Sequence, residues 1–283
     1  MPELPEVETV RRGLAHICID KKIISVQVLH PRATNPRSLA ELDSVAGATI
    51  KGVNRRGKFL WFELDRPLAL VAHLGMSGQF RVLENQREAG GSEKHLRALF
   101  TLKSPGRSRA HLELHFIDQR TFGWLAVAQY SGETPELVSK IALDLFDPQF
   151  DRQATISQFR ARRSEIKRAL LDQNLMSGVG NIYADESLWR AKIHPQSIAS
   201  DLSVGKIGKL LDSVHSVMSQ ALVEGGTSFD SLYVNVNGES GYFERSLEVY
   251  GREHDRCSRC GGEIRRIAFA GRSSHFCPRC QRL

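Results

Sequence analysis

The sequence predicts an α+β fold: an N-terminal β-sandwich with a flanking helix, then a helical domain, then a zinc-ribbon finger. Three observations predict it. Short alternating segments rich in β-branched, aromatic and leucine residues fill positions 20–132. The apolar period then lengthens to that of helices, and two closely spaced cysteine pairs end the chain. A chain of 283 residues can bury two sizeable cores. The expected divisions are a β-sandwich domain at 1–132, a linker at 133–153, a helical domain with a long loop at 154–250 and a finger at 251–283.

The elements follow in order. Val7, Val10, Leu14 and Ile17 recur at helical spacing, so a helix is expected from Pro5 to Ile19. Pro5 suits its first turn, and Glu6 and Glu8 favour the positive end of its dipole. Cys18 on that helix reads as a small buried apolar residue. "ISVQVLH", "GKFLWFEL", "LALVAHLG", "LRALFTL" and "HLELHFI" read as strands. In the last, Leu112, Leu114 and Phe116 oppose His111, Glu113 and His115, which predicts one buried and one wet face of an antiparallel sheet. "GETPEL" and "DLFDPQFD" read as linker. "ISQFRARRSEIKRALLDQ" reads as one helix and "DESLWRAKI" as a shorter one. Ile207, Leu210, Leu211, Val214, Val217, Met218 and Leu222 form the stripe of a longer helix. A β domain followed by a helical one predicts a cleft between them.

Two glycine-containing interruptions remain. "MSGVGNIYADE" turns between helices at Gly178 and Gly180; it is either a packing corner or a nest of backbone amides that holds a phosphate. "GGTSFDSLYVNVNGESGYF" is a polar loop of the length seen in lids and in disordered segments.

The net charge is +7, with a pI near 9.3, a weak pointer to polyanionic partners. Its distribution says more. Residues 252–283 hold eight arginines against Glu253, Asp255 and Glu263, which is +5 of the +7. No apolar run has the length of a bilayer span, and the acidic N-terminus lacks the pattern of a signal peptide. A cytoplasmic protein with no membrane partner is expected.

Cys257, Cys260, Cys277 and Cys280 give C-x₂-C, a spacer of 16 and C-x₂-C. That spacing is a strong signal for one Zn²⁺. Four thiolates complete the tetrahedron and leave no open position, so the site is structural. Two redox dithiols are the weaker alternative. The spacer reads as a hairpin with Gly271-Arg272 at or near its turn.

The opening "MPELPEVETV" has two readings. Pro2 and Glu3 are an ordinary capped and frayed end. Alternatively, a chain starting at Pro2 carries a secondary amine. With the ordinary α-amino pKa of about 7.7–8.0, it is partly neutral and nucleophilic near physiological pH. Condensed with a sugar carbon it gives an iminium, and Glu3 beside it can move protons.

"PELPEVET", "RRGKFL", "HLGMSG", "DQRTFG", "GVGNIYADE", "GGTSF", "GYFERSLEVYGR" and the four cysteines occur in order along essentially the whole chain. Together they resemble the bacterial formamidopyrimidine-DNA glycosylases, which act on 8-oxoguanine. The resemblance implies a monomer bound to damaged double-stranded DNA, a base-excision-repair enzyme whose β-sandwich domain is catalytic and whose helical domain is a helix–two-turn–helix domain. It implies removal of oxidised purines and cleavage of the abasic site by β,δ-elimination through a Schiff base. Removal of Met1 would free Pro2 as the nucleophile, with Glu3 as acid/base. Lys58 would assist base loss and elimination, and Arg272 would bind phosphate during δ-elimination. Glu6 matches a buried carboxylate near the site. Met76, Arg120 and Phe122 match a wedge that fills the gap left by the flipped base, with Arg120 facing the orphaned cytosine. His73, His95, Arg163, Lys167 and Asn181 match phosphate anchors, which set affinity and not damage recognition. Thr227 and Ser228 match the loop over the flipped base. Thr121 departs from the family's Asp-Pro-Arg-Arg-Phe-Gly, so one phosphate contact is expected to be weaker and the salt slope smaller by up to about one unit.

Three other readings remain. An endonuclease VIII-type relative would prefer oxidised pyrimidines, though "PELPE" and Phe122 favour the purine branch. A non-catalytic damage-binding protein would not need Pro2, Glu3 and Lys58. A zinc-ribbon protein-interaction factor would bind its partner with little dependence on salt.

Overall fold

The first helix begins where its cap can form. In the computed structural model, which describes residues 2–84, 93–106, 111–227 and 242–283, α1 spans Leu4–Cys18. That is one residue earlier at each end than the periodicity suggests. Leu4, Val7, Val10, Leu14 and Cys18 all turn inward. The Glu6 carboxylate reaches back to accept the Glu3 N–H at 2.8 Å, one arm of a capping box.

Eight strands follow: β1 (Lys22–Val28), β2 (Ile50–Arg56), β3 (Phe59–Leu64), β4 (Leu68–His73), β5 (Gly78–Glu84), β6 (Leu96–Lys103), β7 (His111–Asp118) and β8 (Trp124–Gln129). They form two antiparallel four-stranded sheets, in the orders β1-β6-β7-β5 and β2-β3-β4-β8. Phe62, Phe80, Phe100, Leu114 and Phe116 meet in one core with Leu14 of α1. Each such side chain, fully buried, contributes about 1.5–3 kcal/mol. The wet face expected of β7 is only partly wet. His115 is buried, and its Nε2 lies 2.9 Å from Glu113 Oε2, so a neighbouring acid lets an imidazole leave water.

The helical segments are α2 (Arg152–Arg160), α3 (Ile166–Leu171), α4 (Asn181–Ala191) and α5 (Val204–Val223). The single helix expected over "ISQFRARRSEIKRALLDQ" is two. Residues 161–165 leave helical geometry because a neighbouring segment takes their hydrogen bonds. Ser200 N–H donates to Arg162 O, Ala199 N–H to Ser164 O, and Ile166 N–H to Ser197 O. These tertiary partners outweigh a helix propensity of tenths of a kcal/mol per residue. The expected linker is also tied down in part: Ala142 N–H donates to Gln173 O, and Ser177 N–H to Leu143 O. The finger hairpin is β9 (Arg265–Phe269) and β10 (Arg272–Phe276).

Among the described residues, the chain divides into two compact units. One holds residues 2–140 with 225–227; the other holds Ile141–Glu224 with Tyr242–Leu283. The finger is thus part of the helical unit, and the start of the loop after α5 belongs with the β-sandwich. No described helix is long and apolar enough to cross a membrane.

Candidate functional site

The N-terminal turn of α1 concentrates charge where little is expected. Pro2 is buried, and Glu3 and Glu6 are 2% and 3% exposed. Glu6 holds two chain segments at once. Beyond the Glu3 N–H, its carboxylate accepts the Thr227 N–H at 2.8 Å and the Thr227 hydroxyl at 3.0 Å. Ser228 lies outside the described residues.

Lys58 sits at the tip of the β2–β3 hairpin. Arg56 pairs with Phe59, so the turn has two residues. Gly57 at φ +55 supplies the left-handed first position of such a turn. A lysine at a hairpin tip is normally solvated, yet Lys58 is 6% exposed. The tip is strapped to α1. Arg55 donates from Nε to Glu8 Oε2 at 3.1 Å and from Nη1 to Gly57 O at 3.0 Å, while Arg11 donates to Glu8 and to Val53 O. Burial pushes the Glu8 carboxyl up, but the guanidiniums of Arg11, Arg12 and Arg55 outweigh it and hold the pKa at about 2.

His73 ends β4, stacked on Trp124 and packed against Phe59. Burial, with the Lys58 charge adding to it, pushes its imidazole down to about 4. Its Nδ1 accepts the Gly75 N–H at 3.2 Å, so in the neutral ring the proton is on Nε2. His95 is half-buried in a short 3₁₀ turn, Glu93–His95. Met76, Arg120 and Phe122 are exposed, Phe122 by 59%. They are tips of loops and not core.

In the helical unit, Arg163 is exposed in the break between α2 and α3. Asn181 opens α4 and donates from Nδ2 to Ser273 O at 3.0 Å. Arg272 is exposed at the first position of β10, one residue past the Ala270-Gly271 turn. Lys167 departs from expectation. It is fully buried, with Nζ 2.7 Å from Asp185 Oδ1 and 3.0 Å from Ser273 O. An ammonium enclosed this way is an internal strut, not a surface anchor for phosphate. Asp185 also accepts the Ser274 hydroxyl and the His275 N–H, each at 2.8 Å. Glu186 accepts the N–H groups of Glu248, Val249 and Tyr250.

The ligand sulfurs of Cys257, Cys260, Cys277 and Cys280 all lie within 4.8 Å of one another, close enough to surround one ion with bonds of about 2.3 Å. Cys257 N–H donates to Gly262 O, and Cys280 N–H to Cys277 O, which closes each pair into a knuckle. The donor set fits a structural Zn²⁺.

Family models match three successive stretches: the Formamidopyrimidine-DNA glycosylase N-terminal domain over residues 1–125, the Formamidopyrimidine-DNA glycosylase H2TH domain over 141–231, and a zinc finger found in FPG and IleRS over 255–283. The chain belongs to the formamidopyrimidine-DNA glycosylase family. It is 51% identical to the formamidopyrimidine-DNA glycosylase of Salinispora arenicola, over 99% of this chain and 96% of that one. Among solved structures it is similar to the Lactococcus lactis Fpg bound to DNA containing N7-benzyl-Fapy-dG, with a TM-score of 0.87 and 36% identity over the whole of both chains. It is also similar to the L. lactis Fpg in complex with DNA containing an oxidised pyrimidine, with a TM-score of 0.86 and 36% identity over the whole of both chains. As in the family model, the four cysteines of this glycosylase-family chain hold one structural zinc ion.

Sequence reasoning missed the partnerships of Glu8, Arg55, Asp118 and Asp185. Each is a buried or half-buried charge inside a quoted motif, and burial is the one property that motif spelling does not carry.

Proposed function

We propose that this chain excises oxidised purines, chiefly 8-oxoguanine opposite cytosine and formamidopyrimidines, from double-stranded DNA and then cleaves the abasic site. With Met1 removed, the Pro2 nitrogen attacks C1′ of the damaged nucleoside. The glycosidic bond breaks, and its electron pair and a proton leave with the base. Glu3 donates a proton to the ring oxygen as the sugar opens to an iminium on Pro2. Loss of a C2′ proton then expels the 3′ phosphate, and a further proton loss expels the 5′ phosphate. The iminium lowers the cost of each carbanion-like step, as other Schiff bases do. Lys58 assists base loss and elimination, and Arg272 stabilises phosphate charge. His73, His95, Arg163 and Asn181 hold the backbone, while Met76, Arg120 and Phe122 occupy the gap left by the flipped base.

The observation that carries this reading is the burial of Pro2, Glu3, Glu6 and Lys58 in the same unit, at a helix start and a hairpin tip where charge is ordinarily solvated. Borohydride trapping on an 8-oxoguanine duplex tests it. A covalent adduct that mass spectrometry places on Pro2 is expected, and a Pro2→Gly variant that traps normally overturns the assignment. No adduct at all favours a non-catalytic damage-binding protein. A second substrate class has one observation in its favour, the relative crystallised with an oxidised pyrimidine. Parallel turnover of 8-oxoguanine and thymine glycol duplexes separates the two.

A further inference from the structure

Two loops of the β-sandwich unit carry the three exposed side chains of the wedge. One runs from Leu74 to Gly78 and bears Met76; the other runs from Asp118 to Gly123 and bears Arg120 and Phe122. One carboxylate ties them together. Asp118 is 0% exposed. Its Oδ1 accepts the Ser77 hydroxyl and, at 3.1 Å, the Arg120 N–H; its Oδ2 accepts the Gly123 N–H at 2.6 Å. Ser77 Oγ accepts the same Arg120 N–H at 3.0 Å, and Arg97 Nε holds the Asp118 carbonyl at 2.8 Å. The loops also nest backbone to backbone, since a β-carbon at Gly75 would collide with Phe122 C and O and with Gly123 N.

Inside this ring of bonds lies a conformational conflict. Thr121 has φ +55. A β-branched residue is an outlier there. The strain falls between Arg120 and Phe122, where the backbone direction decides how both side chains project. The donors that Asp118 accepts, Arg120 N–H and Gly123 N–H, flank it on either side.

We infer that Asp118, acting through Ser77, is a positioning residue that holds the two wedge loops as one preformed body and keeps Thr121 in its left-handed conformation. This rests on the wedge reading of Met76, Arg120 and Phe122. Without the clamp, Thr121 relaxes to negative φ and Phe122 turns away from the position it needs. Preformation matters because an ordered wedge does not lose entropy at the moment of base displacement.

The test compares two substrates with full-length, zinc-loaded protein under single-turnover conditions. One is an 8-oxoguanine duplex, which needs base displacement. The other is a single-stranded oligonucleotide with a preformed abasic site, which does not. Asp118→Asn and Ser77→Ala are each expected to slow duplex excision, the first by about tenfold, as loss of charge-assisted hydrogen bonds implies. Both should leave single-strand cleavage within about twofold. Thr121→Gly added to Asp118→Asn should recover most of the lost duplex rate, because glycine keeps positive φ without strain. Phe122→Ala is the control for the wedge itself. If Phe122→Ala slows excision while Asp118→Asn and Ser77→Ala do not, the clamp is wrong and the wedge stands. If Phe122→Ala has no effect, the wedge reading falls and the inference with it. Equal slowing of both substrates by Asp118→Asn, or no recovery with Thr121→Gly, also overturns it.

Discussion

The β-sandwich unit and the finger of the helical unit both place basic side chains at exposed or candidate-site positions, but they hold them by different means. The sandwich has an apolar core that runs through both sheets and α1. Its buried and half-buried carboxylates act at the margins of that core: Glu6 on Thr227, Glu8 on Arg55, Asp118 on the loops that bear Met76 and Phe122. The apolar cluster at the finger is Trp189, Val249, Cys257, Ile264 and Cys277, with Cys280 beside it. A cluster that small does not order a hairpin, so metal and buried acids do. Zinc joins the two knuckles, Asp185 grips Ser274 and His275, and Glu186 grips the approach at 248–250. A large core lets polar groups serve the site, whereas a small one needs them for the fold.

The contrast is sharpest when the metal is removed. A structural zinc site contributes on the order of 10 kcal/mol to a small domain. Chelation, or Cys257→Ser with Cys277→Ser, should therefore abolish hairpin order and duplex binding while the sandwich stays folded. Circular dichroism and a binding titration read both, and cooperative loss of the whole protein would show the two units to be less independent than their cores imply. Next in size is Asp185→Ala, which strands the ammonium of Lys167 in an enclosed site. A loss of about 3–5 kcal/mol is expected in urea unfolding. Smaller is Glu8→Gln, at about 2 kcal/mol near neutral pH. The sign follows from its lowered pKa. The stabilisation is full above the ordinary value of 4.5 and disappears as pH falls toward about 2. Wild type and Glu8→Gln should thus converge in acid unfolding at the low end. Smallest is His73. With its pKa at about 4, its ring proton signals should titrate near that value, and duplex affinity should show no histidine step at this position between pH 5.5 and 8. A midpoint near 6.5 would mean that burial does not depress it.

What was legible in the sequence divides along the same line. Local patterns read well. The stripe from Ile207 to Met218 is the buried face of α5, and the cysteine spacing located the metal. The alternation of β7 placed Leu114 and Phe116 in the core. What did not read were polar partnerships between distant segments. Nothing near Lys167 in sequence says that Asp185 will enclose it, and nothing in "RRGKFL" says that Glu8 will reach Arg55 across 47 residues. The break at 161–165 is of the same kind, since its cause is the segment at 197–200. Exposure of Met76 and Phe122 was readable only in part, from their short Gly-flanked loops.

One contact on α4 gives the molecule a built-in gauge. The Trp189 indole N–H points at Cys257 Sγ from 3.4 Å, and the Arg259 guanidinium lies 3.9 Å from the ring centre on its face. The fluorophore therefore touches a ligand of the ion. Its emission should change when zinc is withdrawn, so occupancy can be followed optically in unlabelled protein, and Trp189→Phe should erase that signal while leaving Trp61 and Trp124 to report on the sandwich.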